Sequence, residues 1–303
     1  MKLRFGPGVR EAIAARRPVV ALESTVIAHG LPHPMNLATA RLLEADIREA
    51  GAMPATIAIA DGMVVVGADD TLLQRLATES GVWKVSTRDL APLLARGRSG
   101  GLGATTVATT VEIAAAAGIA IFVTGGIGGV HRGAERTLDI SADLGAIARH
   151  PVCVVCAGAK LILDLPRTME VLETLGVPVI GFATNELPAF YARSSGLPLA
   201  HRVDDAIAAA RVVHAQLQRG AGLLVTVPIP TDAALDGQRM EREVASALEA
   251  AVRAGVTGSA LTPFLLARMN DTTTGRTFAA NVALLRNNAR TAAAIAHRLS
   301  DIA

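Results

Sequence analysis

Two short apolar runs between residues 119 and 160 are each followed directly by glycine and polar residues: IAIFVTGGIGGVHRG at Ile119–Gly133 and VCVVCAGAK at Val152–Lys160. Short runs rich in Val and Ile predict buried strands, and the Ala- and Leu-rich segments between them predict helices. This alternation continues along the chain and favours an α/β fold with a mainly parallel sheet. Ligands of such sheets bind at the carboxyl ends of the strands, so functional residues are sought there.

The other predicted elements follow the same alternation. The remaining predicted strands are Pro18–Leu22, Thr56–Ala60, Met63–Gly67, Val177–Ile180 and Leu223–Val227. The predicted helices are Asn36–Ala50, Asp70–Ser80, Thr105–Ala117, Arg167–Thr174, Val203–Arg219, Ala233–Ala254, Thr262–Met269 and Thr277–Leu299. Asp61–Gly62 predicts a hairpin, whereas Gly97–Gly103 is predicted to be flexible but too short for a domain linker. We therefore expect one domain over residues 1–303.

The composition excludes several classes of protein. Hydrophobic residues make up 51% of the 303 residues and charged residues 18%, which requires a buried core. The 29 basic side chains barely exceed the 27 acidic ones, and there are only six Phe, one Tyr and one Trp, so a nucleic acid polymer is not an expected partner. No signal peptide or membrane-spanning run is present, so we expect a cytoplasmic protein with no membrane partner.

Cys153 and Cys156 lie inside one predicted buried strand. Positions three apart on a strand face opposite sides of the sheet, which disfavours a redox or metal-binding pair. We expect two buried thiols.

Lysine is rare in this chain, because only three of the 29 basic residues are lysines: Lys2, Lys84 and Lys160. An arginine keeps its proton in proteins, whereas a lysine can become a neutral amine nucleophile. Lys160 follows the apolar CVVCAGA and precedes LILDL, so it is predicted to lie near the core and to attack a carbonyl or an aldose C1 as an imine-forming amine. The alternative is a buried lysine paired with Glu23 or Asp164.

Two further segments follow the predicted strands. The run Thr124–Gly133 offers backbone N–H groups beside His131, which suits a phosphate or another anion, although a structural turn explains the glycines equally well. The DISAD segment Asp139–Asp143 contains two carboxylates and a hydroxyl, which suit a divalent metal, but Asp and Ser also cap helices. Both interpretations of each segment remain open at this point.

Longer stretches resemble the pseudouridine-5′-phosphate glycosidase family over nearly the whole chain. The matching stretches are ALESTVIAHGLP at Ala21–Pro32, GATTVATT at Gly103–Thr110, FVTGGIGGVHRGAE at Phe122–Glu135, DISADL at Asp139–Leu144, VVCAGAK at Val154–Lys160, LETLGVPVIGF at Leu172–Phe182, PAFYARSSG at Pro188–Gly196, LTPFLL at Leu261–Leu266 and NVALLRNNA at Asn281–Ala289. The resemblance implies the three-layer α/β/α fold called indigoidine synthase A-like, a homotrimer and a divalent metal of the manganese type.

The resemblance also implies the reaction, the reversible conversion of pseudouridine 5′-phosphate and water into ribose 5-phosphate and uracil. An ordinary glycosidase protonates a heteroatom leaving group, which a C-nucleoside lacks. Opening the ribose and joining C1′ to a lysine as an imine gives another route for breaking the carbon–carbon bond. That route needs an amine nucleophile and a proton donor.

The family's functional residues map onto matching positions of this sequence. Lys160 matches the imine-forming lysine, Glu23 the proton donor and Asp139 the metal-binding aspartate. The positions that match substrate contacts or line the same pocket are Lys84, Val107, Thr124, His131, Ser141, Ala142 and Asp143.

Two departures concern the base that is bound. Val227 stands before Pro228 where the family commonly has Asn, and His33 replaces an aromatic residue. Loss of a buried polar contact strongly changes which ligand an enzyme selects, so a heterocycle other than uracil stays an alternative for the bound base.

Three alternative functions follow from these residues. One is a C-glycoside synthase that joins ribose 5-phosphate to a different carbon nucleophile. The others are a non-catalytic phosphosugar-binding protein and an enzyme that holds pyridoxal phosphate on the lysine, which would be coloured.

Overall fold

Strands and helices alternate along the computed structural model, which describes residues 1–256, 261–273 and 275–302. The strands are β1 (Leu3–Phe5), β2 (Val19–Leu22), β3 (Met53–Ala60), β4 (Met63–Val66), β5 (Trp83–Val85), β6 (Leu102–Thr105), β7 (Ile121–Val123), β8 (Cys153–Cys156), β9 (Val179–Phe182), β10 (His201–Val203) and β11 (Leu223–Thr226). The α-helices are α1 (Val9–Ala14), α2 (Met35–Glu49), α3 (Asp70–Thr78), α4 (Thr87–Ala95), α5 (Val107–Ala117), α6 (Ala134–Thr137), α7 (Ala142–Arg149), α8 (Leu165–Thr174), α9 (Ala206–Leu217), α10 (Gly237–Arg253), α11 (Leu261–Thr272) and α12 (Arg276–Ser300). A π-helix spans Val26–Gly30 and a 3₁₀ helix spans Gly97–Gly100.

The strands form one mixed sheet in the order β1-β4-β3-β2-β7-β8-β11-β9-β10. All pairs from β3 through β2, β7, β8, β11 and β9 to β10 are parallel. Their carboxyl ends therefore meet at one edge of the sheet, which we call the carboxyl edge. This parallel core confirms the predicted fold class.

Strand β3 divides the sheet because its two halves have different neighbours. Its first half pairs with β2, with Leu22 opposite Thr56, and its second half pairs antiparallel with β4 and with β6. Ile57–Ala60 thus extend beyond the carboxyl edge of β2. Strand β6 runs back toward that edge, and β5 lies parallel to it.

Helices cover both faces of the sheet and give the expected three layers. Helix α12 packs against α2 and α9 and contacts β2, β7 and β8. Helix α5 contacts β2 and β7 as well, and it packs against α7 instead. The core between the layers is apolar, and Phe122 is fully buried there. Among the helices of the described residues, none has the length and apolar character needed to cross a bilayer.

Most predicted elements are confirmed, whereas the short strands β1, β5, β6 and β10 were not predicted. Met63 lies opposite Ala60 in the hairpin predicted at Asp61–Gly62, and both turn residues have positive φ. The prediction that Gly97–Gly103 is flexible was wrong, because this segment forms the 3₁₀ helix and begins β6. A Cβ on Gly103 would lie 2.7 Å from Leu93 Cδ2 and 2.8 Å from Val85 Cγ2, so close packing requires this glycine.

Asp46 joins two helices of one layer. Its carboxylate is buried on α2 and accepts hydrogen bonds from Arg286 at 2.6 and 2.9 Å and from Arg290 at 2.8 and 3.1 Å, both on α12. Burial alone would raise the pKa of Asp46, but the hydrogen bonds and charges of the two arginines outweigh it and lower the pKa. The two arginines therefore stabilise the ionised carboxylate of Asp46.

We predict that Asp46→Asn lowers the free energy of unfolding by about 1.5–3 kcal/mol, the usual value for hydrogen bonds to a charged group. The folded-state pKa of Asp46 is depressed, so its contribution is complete above the unfolded-state pKa and is lost as pH falls through the folded-state pKa. Urea unfolding should therefore show a difference between variant and wild type at neutral pH that shrinks in acid. Asp70→Asn, which removes an exposed pair with Arg41, is the control and should have little effect. Equal changes in the free energy of unfolding for the two substitutions would contradict a stabilising role for the ion pairs between Asp46 and the two arginines.

Candidate active site

The carboxyl edge brings together polar residues from three neighbouring strands. Glu23 follows β2, Thr124 follows β7, and Lys160 lies four residues after β8. Glu23 and Thr124 are buried, whereas Lys160 is half-buried. The backbone N–H of Lys160 donates to Ile127 O at 3.1 Å, which attaches the lysine segment to the glycine run.

Lys84 reaches the same edge from the other part of the sheet. It is the middle residue of β5 and lies opposite Ala104 of β6. Since β6 returns toward β2, its last residue, Thr105, lies at the level of Glu23 and Ser24, and Thr105 N donates to Ser24 Oγ at 2.8 Å. The branched sheet thus places Lys84 beside Glu23 although 61 positions separate them in sequence.

The charges of this cluster act on one another. Burial lowers the pKa of Lys84, the positive charge of Lys160 lowers it further, and the carboxylates of Glu23 and Asp143 oppose both effects. Lys84 is an exposed residue whose amine lies near the charges of Lys160, Glu23 and Asp143. The two lysines therefore repel each other, and their positive charges favour an anion beside them.

His131 belongs to the same cluster. Burial lowers its pKa, the carboxylate of Asp139 opposes this, and the charges of Lys160 and Lys84 add to the lowering. A neutral imidazole at this position can donate or accept a hydrogen bond. The cluster thus holds one imidazole and two amines around one opening.

Glu23 is held by two hydroxyl groups. Thr25 Oγ1 donates to one carboxyl oxygen, Oε2, and Thr124 Oγ1 donates to the other, Oε1. Hydroxyls can also accept a hydrogen bond, so the same pair can serve both the ionised and the protonated form of Glu23. This arrangement suits a group that gains and loses a proton.

A buried network of hydroxyls lies beneath Glu23. Thr105 Oγ1 donates to Ile57 O at 2.9 Å, Thr110 Oγ1 donates to Thr105 Oγ1 at 2.9 Å, and Ser24 Oγ lies 3.3 Å from Thr105 Oγ1. These bonds connect β2, β3, β6 and the first turn of α5. They fix the relative positions of the two parts of the sheet at the site.

The glycine run mainly serves close packing inside the protein. Its backbone N–H groups at Ile127, Gly128, Val130 and His131 donate to acceptors of the protein itself. A Cβ on Gly128 would lie 2.3 Å from Ser141 Oγ, so no larger residue fits there. For these four N–H groups the structure favours the structural turn over an anion cradle.

The two aspartates of the DISAD segment have different surroundings. Asp143 is buried and accepts from Ala108 N at 2.9 Å and from Gly128 N at 2.7 Å, so both carboxylate oxygens are occupied by backbone donors. Ser141 caps α7 by accepting from Asp143 N at 3.2 Å. Asp139 is half-buried, and within the described residues its carboxylate forms no hydrogen bond or ion pair. Asp139 is thus free to meet a ligand, whereas Asp143 connects α5 to the glycine run.

Comparisons with known proteins show the family to which the chain belongs. Residues 8–298 match the family described as indigoidine synthase A like protein. The chain belongs to the indigoidine synthase A-like family. Relatives named pseudouridine-5′-phosphate glycosidase include one from Myxococcus xanthus, 53% identical over 299 residues with 98% of each chain covered. Another, from Caldanaerobacter subterraneus, is 52% identical over 296 residues and covers 97% of this chain and 95% of the relative.

Two solved structures of the indigoidine synthase A-like type share the fold. The prealnumycin C-glycosynthase AlnA, crystallised with ribulose 5-phosphate, has a TM-score of 0.91 and 43% identity and covers 100% of this chain and 98% of its own. The indigoidine synthase A-like protein from Thermotoga maritima has a TM-score of 0.88 and 33% identity and covers 99% of this chain and 97% of its own. They confirm the indigoidine synthase A-like fold expected from the sequence.

The remaining residues expected in the site also lie at this edge of the indigoidine synthase A-like chain. Val107 is buried as the first residue of α5, and Ala142 is exposed as the first residue of α7. Within the described residues Lys160 forms no ion pair with Glu23 or Asp164, and Asp164 instead caps α8. The paired-lysine alternative thus loses both of its suggested partners.

The two cysteines are free, fully buried thiols on β8, as expected. Burial raises the pKa of both, which makes them poor nucleophiles.

The two residues that depart from the family pattern differ in exposure. Val227, which follows β11, is buried, whereas His33 is exposed.

Two residues of the site escaped the sequence analysis although both lie in quoted stretches. His29, on the π-helix, is close to Lys84, and burial followed by the charge of Lys84 lowers its pKa while the carbonyls of Trp83 and Val82 oppose this. Asn288, on α12, donates to the carbonyl oxygen of Thr124 at 2.9 Å. A histidine in the stretch that follows Glu23 was an available signal, whereas an Asn within a helix gave none.

An open groove with a volume of about 850 Å³ lies next to the site. It is lined by residues of α8, of the loop around Ser195 and of the start of α10, and the ion pair between Arg132 and Glu241, 2.8 Å long, lies in it. Its lining does not include Lys84 or Lys160. The cluster of Lys84, Lys160 and Glu23 does not line this groove.

We predict that Asp143→Asn lowers the free energy of unfolding by about 1–3 kcal/mol, because the new amide nitrogen faces a backbone N–H donor and leaves it unsatisfied. Asp139→Asn is the matched control and should leave the free energy of unfolding unchanged, since its carboxylate has no hydrogen bond within the described residues. Urea unfolding of both variants measures the difference. If Asp143→Asn leaves the free energy of unfolding unchanged, the two backbone contacts of Asp143 do not stabilise the fold.

Proposed function

We propose that this chain catalyses the reversible cleavage of pseudouridine 5′-phosphate by water to ribose 5-phosphate and uracil. The observation that carries the proposal is the meeting of Lys160, Lys84 and Glu23 at one edge of the sheet, where two amines and a buried carboxyl group act on one another. The full-length relatives named pseudouridine-5′-phosphate glycosidase support the choice of substrate.

In the proposed reaction Lys160 supplies the nucleophile. Its neutral amine attacks C1′ of the ribose, the C1′–O4′ bond breaks, and O4′ takes up a proton. Protonation of uracil at C5 then lets the C1′–C5 bond break, its electron pair remaining with uracil while the nitrogen lone pair forms the C=N bond. Water adds to this imine and releases ribose 5-phosphate and the free amine, so atoms and electrons balance.

Glu23 is the proposed proton donor. It lies next to the cluster of amines, and its two hydroxyl partners hold its carboxyl group in a fixed orientation. A buried carboxyl group positioned in this way can protonate the leaving carbon and be reprotonated during imine hydrolysis. Thr124 therefore contributes by orienting Glu23 as well as by lining the pocket.

The phosphate end of the substrate is assigned to the positive side of the site. Lys84 supplies a charge, and His131 and Ser141 supply hydrogen-bonding groups. The first turn of α5, which begins at Val107, favours an anion through its backbone dipoles. Ala142 and Asp143 complete the proposed phosphate site. Asp143 contributes by holding the backbone of Ala108 and Gly128 in place.

We propose Asp139 as the holder of a divalent metal, with Mn²⁺ as the expected ion. No group of three or more His, Cys, Asp or Glu side chains suited to a metal occurs within the described ranges, so the residues do not form a cage made of protein ligands alone. A single free carboxylate fits a hydrated cation that shares its remaining positions with water and phosphate. When bound, such a cation neutralises phosphate charge.

The homotrimer, the single domain over residues 1–303 and the cytoplasmic location stay predictions. The homotrimer follows from the resemblance, the single domain from the lack of a convincing linker, and the location from the lack of a predicted signal peptide or membrane-spanning run.

A C-glycoside synthase is the second candidate. The specific observation in its favour is the TM-score of 0.91 to a C-glycosynthase. It would use the same amine in the joining direction with another carbon nucleophile.

The test supplies the protein with pseudouridine 5′-phosphate and Mn²⁺ and measures uracil and ribose 5-phosphate. Equal amounts of the two products are expected. The reverse assay, with ribose 5-phosphate and uracil, should form pseudouridine 5′-phosphate. Failure of both assays, together with consumption of ribose 5-phosphate when a different heterocycle is supplied, would favour the synthase and overturn the main proposal.

We predict that hydride reduction in the presence of ribose 5-phosphate attaches a pentose phosphate to the peptide that contains Lys160. Lys160→Arg keeps the positive charge and removes the nucleophile, so it should lose the adduct and more than about 1,000-fold in kcat. Mass spectrometry of the digested protein locates the adduct. An adduct on Lys84 with Lys160 unmodified would reassign the nucleophile.

We predict that KM for pseudouridine 5′-phosphate rises between neutral pH and about pH 10, because Lys84, whose pKa is lowered, loses its charge below the range of an ordinary lysine. Lys84→Arg stays charged, so its KM should change less over the same range. Initial-rate measurements at several pH values compare the two. Lys2→Arg is the control and should follow the wild type, whereas parallel profiles for Lys84→Arg and wild type would contradict a phosphate role for Lys84.

A further inference from the structure

Asn288 lies in the middle of α12, completely buried beneath the site. Its amide nitrogen donates to the carbonyl oxygens of Thr124 at 2.9 Å and of Gly125 at 3.4 Å. Its amide oxygen is also buried and has no hydrogen-bond partner within the described residues. Asn288 is therefore a buried polar residue that is only half satisfied.

Packing alone does not account for an amide at this position. Most buried residues of α12 are apolar, among them Leu284, Leu285 and Ala292, although Asn281 is also buried and lies near Gly125. A buried acceptor without a donor costs free energy that an apolar side chain of similar size would avoid. The value of Asn288 must therefore lie in the two hydrogen bonds that it donates.

Those two bonds fix the peptide from which Thr124 projects. Thr124 N donates to Val155 O at 3.0 Å on one side, and Asn288 holds Thr124 O on the other. Gly125 lies directly on α12, where a Cβ would be 3.3 Å from Leu284 Cδ1. The hydroxyl of Thr124 then donates to Oε1 of Glu23. A continuous path of hydrogen bonds thus runs from Asn288 through Thr124 to Glu23.

We propose that Asn288 is a positioning residue that orients the carboxyl group of Glu23 through Thr124. This inference rests on the proposed function, in which Glu23 protonates the leaving carbon. Asn288 is fully buried, and among the described residues it forms no hydrogen bond with Lys160. It therefore affects proton transfer and leaves phosphosugar binding and imine formation intact.

Asn288→Leu tests the inference, because leucine has a similar branched shape, donates no hydrogen bond and removes the unsatisfied oxygen. We expect kcat for pseudouridine 5′-phosphate to fall roughly 10- to 100-fold, part of what a general acid contributes. KM should stay within about threefold, and the reductive adduct with ribose 5-phosphate should form as in the wild type. An unchanged kcat, or loss of the adduct together with kcat, would overturn the inference.

A double-mutant cycle separates positioning from a general effect on packing. If Asn288 acts through Thr124, Asn288→Leu should add little to the loss already caused by Thr124→Val. Independent, multiplying losses would show that Asn288 acts by another path. Asn288→Asp, which keeps the shape but turns an oxygen toward the two carbonyls, takes the place of Asn288→Leu if the leucine variant does not fold.

Gln216→Leu is the matched control. Gln216 is a buried amide that donates to Gly222 O at 3.2 Å, at the opposite, amino end of β11. This variant should keep the wild-type kcat. A loss of kcat equal to that of Asn288→Leu would show that removal of any buried amide impairs the enzyme.

A crystal structure of the Asn288→Leu variant tests the inference without any substrate. We expect the hydrogen bond between Thr124 and Glu23 to be lost or displaced, and an unaltered bond would overturn the positioning role. If the wild type does not act on pseudouridine 5′-phosphate while the variant structure shows the displaced bond, the proposed function fails and the positioning of Glu23 stands.

Discussion

The register between β2 and β3 determines how the site is assembled. Because Leu22 lies opposite Thr56, β3 leaves β2 where Glu23 begins and continues beyond the edge as Ile57–Ala60. There it pairs with β6, whose return brings β5 and Lys84 back to the same edge. A purely parallel sheet would leave strands only on either side of Glu23. The antiparallel branch supplies a second wall, and the hydroxyl network from Thr105 holds that wall in place.

This assembly places two amines where they repel each other, and the surrounding carboxylates compensate only in part. Burial and Lys160 lower the pKa of Lys84, while Glu23 and Asp143 raise it. Two amines so close together favour a negatively charged ligand beside them. In the proposed reaction this ligand is the phosphate of the phosphosugar, which Lys84 faces.

The sequence pattern alone located the candidate residues that follow strong strands, whereas it gave no strand for the one that lies on a weak strand. The apolar runs before Thr124 and Lys160 are long enough to be recognised, and both residues lie where expected. Strand β5 has only the residues Trp83–Val85, two of them exposed, so its pattern carries no strand signal. Gly103 suggested flexibility because a glycine required by packing against Leu93 looks the same in sequence as one required by a turn. Lys84 was found only because lysine is rare and because of the resemblance.

The DISAD segment shows what a pattern of residue types leaves undecided. Asp139 and Asp143 are chemically identical, and their spacing does not reveal that backbone N–H groups from α5 and the glycine run occupy both oxygens of Asp143. Only Asp139 remains for the proposed metal, and a cation held there would take its other oxygen ligands from water and substrate. Metal and phosphosugar would therefore strengthen each other's binding, because each supplies charge or ligands that the other lacks. The half-buried position of Asp139 would permit this sharing, since a carboxylate enclosed by protein would not reach the substrate.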